Sequence, residues 1–220
     1  MNPVYFVPLL LLTGCSSVTI DEFRQGSTSL NSGESIVILG RRHANNYETE
    51  PSLINCLQET MADKGLKVIP EQEFLDEFYP FFEPRTAPLN LPGINKLRGQ
   101  DKLAERMSQK NLRYLIWVDG NTETTSSVGS ISCALVPGGG CLGFGSWDDE
   151  AGYESVIWDL KREVVAGRIH TSAKGTSYMP AVVIPIPLLA QVESEACKGL
   201  GNQLSEFFQP QGEPSHGLQN

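Results

Sequence analysis

The sequence predicts an α+β domain: a single layered unit with a mixed or antiparallel sheet and helices packed mainly on one face. Three observations carry this. Short apolar runs alternate with stretches of helical periodicity in the first half of the chain. The second half is mostly strand-like, with β-branched and aromatic residues separated by turn residues. Residues 192–208 then return to apolar positions every three or four residues. Strand, helix, strand, helices, antiparallel strands and a closing helix is the order of a layered α+β domain.

The elements follow in order. Residues 35–40, Ser-Ile-Val-Ile-Leu-Gly, form a short apolar run ending in Gly, suited to a buried strand. Pro51 stands where the first turn of a helix tolerates it. Leu53, Ile54, Leu57 and Met61 follow at helical spacing, and Gly65 closes the helix. Residues 66–70 are a second short strand, and 71–78 a second helix. An aromatic, proline-rich loop follows, containing Phe78, Tyr79, Pro80, Phe81, Phe82 and Pro84. Pro92 opens one further helical stretch carrying Ile94, Leu97, Leu103 and Met107.

Residues 112–119 have the strongest β-propensity in the chain. Residues 130–136 and 153–160 are further strands, and Lys161-Arg162-Glu163 turns the last of them into 164–173. The segment 182–189 is apolar but bears Pro185 and Pro187. It fits an edge strand or an extended crossing, because proline cannot donate to a ladder. An apolar edge is also where an oligomer can form. Val192, Ala196, Leu200, Leu204 and Phe207 or Phe208 mark a C-terminal amphipathic helix.

Composition bounds the function. A chain of 220 residues with 40% apolar and 20% charged residues can bury a real core. Its net charge is -9, and its Lys and Arg are scattered. A phosphate backbone is bound by clustered cations, so nucleic acid is excluded as an expected partner. Anionic lipid headgroups would not attract this surface either.

Membrane attachment is written instead at the N-terminus. Residues 4–12 are almost purely apolar, too short to span a bilayer but of a length suited to the core of a secretory signal. Leu12-Thr13-Gly14-Cys15 follows, then Ser16-Ser17. This resembles the lipobox of bacterial lipoproteins read by signal peptidase II. The resemblance implies cleavage before Cys15 and a covalent lipid, palmitate included, on its thiol. Met1-Asn2-Pro3 departs from such signals in lacking Lys or Arg. Ser rather than Asp after the cysteine implies, on the pattern of enteric lipoproteins, residence at the outer membrane, facing the periplasm. The expected organisation is 1–14 signal peptide, 15–34 lipidated N-terminus and flexible tether, 35–208 α+β domain, and 209–220 disordered tail.

The element order is also similar to the domain shared by the curli secretion lipoprotein, the lipoprotein activators of penicillin-binding proteins, and the N-terminal domain of the Tol-Pal propeller protein. The residues that carry the likeness are Ser155-Val156-Ile157-Trp158-Asp159-Leu160, the return at Val164-Val165, and a last helix containing Cys197. The resemblance covers about residues 35–208 and implies a binding or assembly module without catalytic residues.

Beyond Cys15, four cysteines remain: Cys56, Cys133, Cys141 and Cys197. An even number in an exported chain points to two disulfides, against free buried thiols or a metal site. The favoured pairs are Cys133–Cys141, across the glycine-rich loop, and Cys56–Cys197, joining the first and last helices on one sheet face. No two cysteines stand two to four residues apart, so zinc spacing is absent and no metal is expected.

Gly138-Gly139-Gly140-Cys141-Leu142-Gly143 spells G-x-G-x-x-G, but no helical pattern follows it. A hairpin tip is expected rather than a dinucleotide site. On that tip, Leu142, Phe144 and Trp147 either contact a partner or lipid or fold back over the core. Asp148-Asp149-Glu150 reads as a solvated turn without the oxygen spacing of a calcium loop. His43, His170 and His216 show no triad pattern. The loop aromatics Phe78, Tyr79, Phe81 and Phe82 are either a lid on the core or a partner surface.

The expected function is therefore a membrane-anchored, non-catalytic binding or assembly module of the envelope. It needs no cofactor besides the lipid, and its partner is another envelope protein or a second copy. The alternative is a peptidoglycan-directed hydrolase whose paired carboxylates meet only in the fold. A small-ligand or lipid carrier would need a large apolar pocket.

Overall fold

The chain forms one six-stranded mixed sheet in the order β1-β6-β5-β4-β2-β3. The strands are β1 (Ser16–Arg24), β2 (Ser35–Gly40), β3 (Val68–Ile69), β4 (Leu112–Cys133), β5 (Cys141–Asp159) and β6 (Val164–Pro185). The helices are α1 (Pro51–Asp63), α2 (Glu71–Glu77), α3 (Leu91–Arg98), α4 (Asp101–Gln109) and α5 (Val192–Phe207). The structure is a computed structural model and describes residues 16–26, 28–42, 49–83, 86–88, 90–134, 139–185 and 191–209. The expected signal peptide with Cys15, and the expected tail beyond Gln209, lie outside the described residues.

β2 is parallel to β3 and β4, whereas β4, β5, β6 and β1 are successively antiparallel. The apolar run of β2 is buried along its whole length because helices cover both of its faces. Ile36 and Ile38 join Leu53, Leu57 and Met61 of α1 and Leu200 and Leu204 of α5 in one core. Val37 and Leu39 face the other way, into a second core with Phe74, Phe78, Ile94, Leu103 and Met107. The α+β, single-sheet class stands. The helices, however, divide between the faces: α1 and α5 on one, α2, α3 and α4 on the other. Alternation in β4 requires this, since Tyr114, Ile116 and Val118 enter the first core while Leu115 and Trp117 enter the second.

Several expected elements change length. The helical stretch opened by Pro92 is two helices, broken at Gly99 and Gln100, with the Asn90 side chain accepting the Gly93 amide at 2.9 Å as N-cap. The strands expected at 112–119 and 130–136 join in one, β4, which ends at Cys133, with residues 135 and 136 outside the described residues; those expected at 153–160 and 164–173 are the inner parts of β5 and β6. Residues 16–24, expected within a flexible tether, pair with β6 over their whole length, from Ser16↔Gly175 to Arg24↔Gly167. Val18 and Ile20 lie against Gly199 of α5, which explains why this polar-looking segment docks. Glu22 anchors it further by accepting from Gln203 at 2.5 Å.

Both expected disulfides are present. Cys56–Cys197 ties α1 to α5 across a sequence separation of 141, and Cys133–Cys141 closes the hairpin between β4 and β5.

Candidate functional site

Beyond the core, β4, β5 and β6 run on together as a three-stranded ribbon. Its root is the row Glu123↔Glu150↔Lys174, where Lys174 pairs with Glu150 at 2.8 Å. One row further out β1 begins, with Ser16 paired to Gly175, and past that row no fourth strand flanks the ribbon among the described residues. Asp148 and Asp149 follow, extended within β5 rather than in a turn. Asp148 accepts from the Ser126 hydroxyl at 2.6 Å and the Thr176 hydroxyl at 2.7 Å, and Asp149 accepts from Thr124 at 2.7 Å. The Ser126 bond, then that of Thr176, hold the Asp148 carboxyl below its usual range. Hydroxyls of neighbouring strands therefore occupy the oxygens that a solvated turn would have offered to water.

Outward from Asp148 the ribbon has no charge at all: residues 124–147 and 175–192 contain no Asp, Glu, Lys or Arg. Cross-strand register places Val128, Ser146 and Tyr178 in one row and Ser130 with Phe144 in the next, all on one face. On that face Val128 is 73% exposed, Leu142 68%, Phe144 50% and Tyr178 38%. The Phe144 and Tyr178 rings lie 6.0 Å apart. Trp147 alternates to the opposite face and is half-buried. Thus Leu142 and Phe144 do not fold back over the core, and Val128 and Tyr178 join them. Of the glycine-rich motif, Gly139 and Gly140 lead into β5, which holds Cys141 to Gly143 opposite β4. With no helix N-terminus beside it among the described residues, it lacks the frame that holds a dinucleotide.

The same face continues onto the sheet, where β1, β6 and the middle of β5 carry no helix. Asp21, His170 and Glu154 form one cross-strand row there, and Arg168 pairs with Glu154 at 2.9 Å. Beside them a cleft of about 320 Å³ is lined by Arg41, Asn90, Trp117, Asp119 and Trp158 among others. Arg41 stacks 5.2 Å from the Trp117 ring and lies 3.4 Å from Asp119. A second cavity of about 360 Å³ lies at the far end of the sheet between Glu34, Arg98, Arg113 and Lys161. The carboxylates lining these cavities are all ion-paired: Asp119 with Arg41, Glu154 with Arg168, and Glu34 with Arg113.

The aromatic loop is a lid. Phe78 and Phe82 are buried against Phe74, with ring centroids 4.4 and 4.8 Å from it, and Phe81 is half-buried. Partner contact by Phe78 and Phe82 is therefore corrected: their rings complete the second core. Tyr79, 66% exposed, alone stands clear of it. Among the described residues no group of three or more His, Cys, Asp or Glu could hold a metal ion. His43 and His216 lie outside the described residues. No described helix is long and apolar enough to cross a membrane.

No protein-family model matches the chain, and no curated protein matches it either. Among solved structures, two PelC dodecamers from Paraburkholderia phytofirmans are similar. One, the L103M form, shares 15% identity over 87% of this chain and 98% of its own, with a TM-score of 0.39. The other shares 14% identity over 89% and 100%, with a TM-score of 0.40. A homolog of the neuraminyllactose-binding hemagglutinin from Helicobacter pylori shares 12% identity over 84% and 90%, with a TM-score of 0.37.

Proposed function

We propose that the chain is an envelope lipoprotein, anchored through Cys15 at the outer membrane and facing the periplasm, whose domain is a non-catalytic binding or assembly module. The observation that supports this best is the ribbon. An uncovered sheet extension, closed by a disulfide at its tip and apolar on one face, presents surface rather than a reaction centre. Large exposed apolar patches on a folded domain mark contact with another molecule. The two disulfides suit an oxidising compartment outside the cytoplasm. Ion-paired carboxylates along both cavities are neutralised locally, which favours structural over acid–base use.

A photo-crosslinking residue in place of Tyr79 in the full chain tests the binding role. Discrete adducts with an envelope protein or a second copy are expected on irradiation of intact envelopes. The absence of any protein adduct at Tyr79, and at Arg168 on the uncovered sheet face, would contradict the proposal.

A further inference from the structure

We infer that the ribbon is a second membrane contact, lying along the lipid interface with Val128, Leu142, Phe144 and Tyr178 against the boundary between headgroups and acyl chains. This rests on the reading of Cys15 as lipidated.

Three features of the fold point there. The first is position. Ser16 pairs with Gly175, which pairs with Asp149, so β1 starts level with the root of the ribbon. Because β1 runs antiparallel to β6, its N-terminal end at Ser16 faces the ribbon tip. A lipid on Cys15, one peptide unit away at about 3.8 Å, would enter the bilayer on the ribbon's side of the domain. Ser16, next in sequence to Cys15, is itself paired with Gly175, so a lipid on Cys15 would be tied directly to the sheet. The domain is held with its ribbon at the membrane.

The second is chemistry. The four exposed side chains share one face, and no charge lies beyond Asp148 to oppose their burial. Phe144 and Leu142 stand five and seven residues beyond Asp149 along β5, about 17 and 23 Å at roughly 3.3 Å per residue. With no Lys or Arg in the ribbon, the contact is apolar and does not depend on anionic lipid or on salt.

The third is the open edges, which decide the depth. Past Ser16 no described strand pairs with the outer sides of β4 and β6, and in hydrocarbon edge N–H and C=O groups left without a neighbouring strand would find no partner, so a lone ribbon cannot span the bilayer. Lying flat, it buries one face about 5–10 Å deep while both edges and the other face keep water.

The test uses the full chain in native membranes, with a photo-crosslinking residue replacing Leu142 or Phe144, and Glu154 as the control position. After irradiation, intact mass is expected to show phospholipid adducts at Leu142 and Phe144, several-fold above those at Glu154. Adducts only to protein, or none above the control, would overturn the inference. A two-proton mass gain at the Cys133–Cys141 peptide on reduction verifies that the ribbon is formed in each variant. The same spectra report the N-terminus separately. Lipid on Cys15 without ribbon adducts removes the ribbon contact alone. Ribbon adducts on a chain without that lipid support the contact and overturn the anchor.

Discussion

Asp159 is completely buried, and its neighbours show how the fold tolerates a charge there. It accepts from Arg113 at 2.7 Å and from the backbone amides of Lys161 and Arg162 at 3.0 and 2.9 Å, so one carboxylate ties β4 to the turn between β5 and β6. Removing one partner of a buried pair leaves the other uncompensated. Arg113→Met should therefore cost about 3 kcal/mol, read from the shift of the urea midpoint. An unchanged midpoint would mean that the two amides alone satisfy Asp159. Asp148 is the contrasting case, exposed but hydrogen-bonded by hydroxyls from both flanking strands. Its folded carboxyl lies below the ordinary 3.8. The sign follows: its contribution to ribbon order is present above the unfolded value and lost as pH falls through the lower folded value. A carbon-13 titration of the carboxyl should place its midpoint below 3.8. Ser126→Ala with Thr176→Val should raise it, and a midpoint unchanged by that pair would contradict the assignment.

At the scale of elements, the two disulfides have different reach. Cys56–Cys197 closes 141 residues and joins helices of one core, so on the chain-entropy model it stabilises the domain by about 5 kcal/mol. Replacing both cysteines with Ala should lower the unfolding free energy by that order. Cys133–Cys141 closes a short loop, worth roughly 2–3 kcal/mol on the same model, at the end of a ribbon with no core of its own. Its removal should leave the cooperative midpoint nearly in place and speed amide exchange in the ribbon alone. Equal effects of the two on the midpoint would contradict this division.

These elements also mark what was readable from sequence. The inner strands, α1, α2 and α5 follow from apolar periodicity, because burial writes a pattern into residues such as Leu53, Ile54, Leu57 and Met61; Cys133–Cys141 follows from the short glycine-rich loop, and Cys56–Cys197 from the expected placing of the first and last helices on one face. The ribbon left less trace, read only at 130–136 and in the apolar stretch 182–189. Thr124 to Gly129 is mostly Ser, Thr and Gly, exposed on both faces, so neither a period of two nor a hydrophobic run marked it as strand. β1 was hidden for a similar reason: Val18 and Ile20 sit among Ser, Thr and acids, and their docking depends on Gly199, far along the chain. Leu142 and Phe144 were legible as tip residues. Val128 and Tyr178 became part of the site only through strand register, which sequence spacing does not give.

The whole molecule divides along its sheet. One end is closed by helices on both faces and stapled by Cys56–Cys197. The other runs out into a ribbon that carries no charge beyond Asp148, beside the start of β1 at Ser16. The net charge is -9, and none of the charged residues that make it up lies in 124–147 or 175–192. Such a distribution suits a body in water held close to a surface by one end. Every functional statement about this arrangement depends on the lipid. The most direct measurement is the intact mass of the protein in the membrane fraction, wild type beside Cys15→Ala. The wild type should begin at Cys15 and carry a lipid-sized mass gain that the variant lacks. A wild-type chain that is unprocessed, or that is recovered without added mass in the soluble fraction, would contradict the anchor, and the ribbon contact would then stand only on its own lipid adducts.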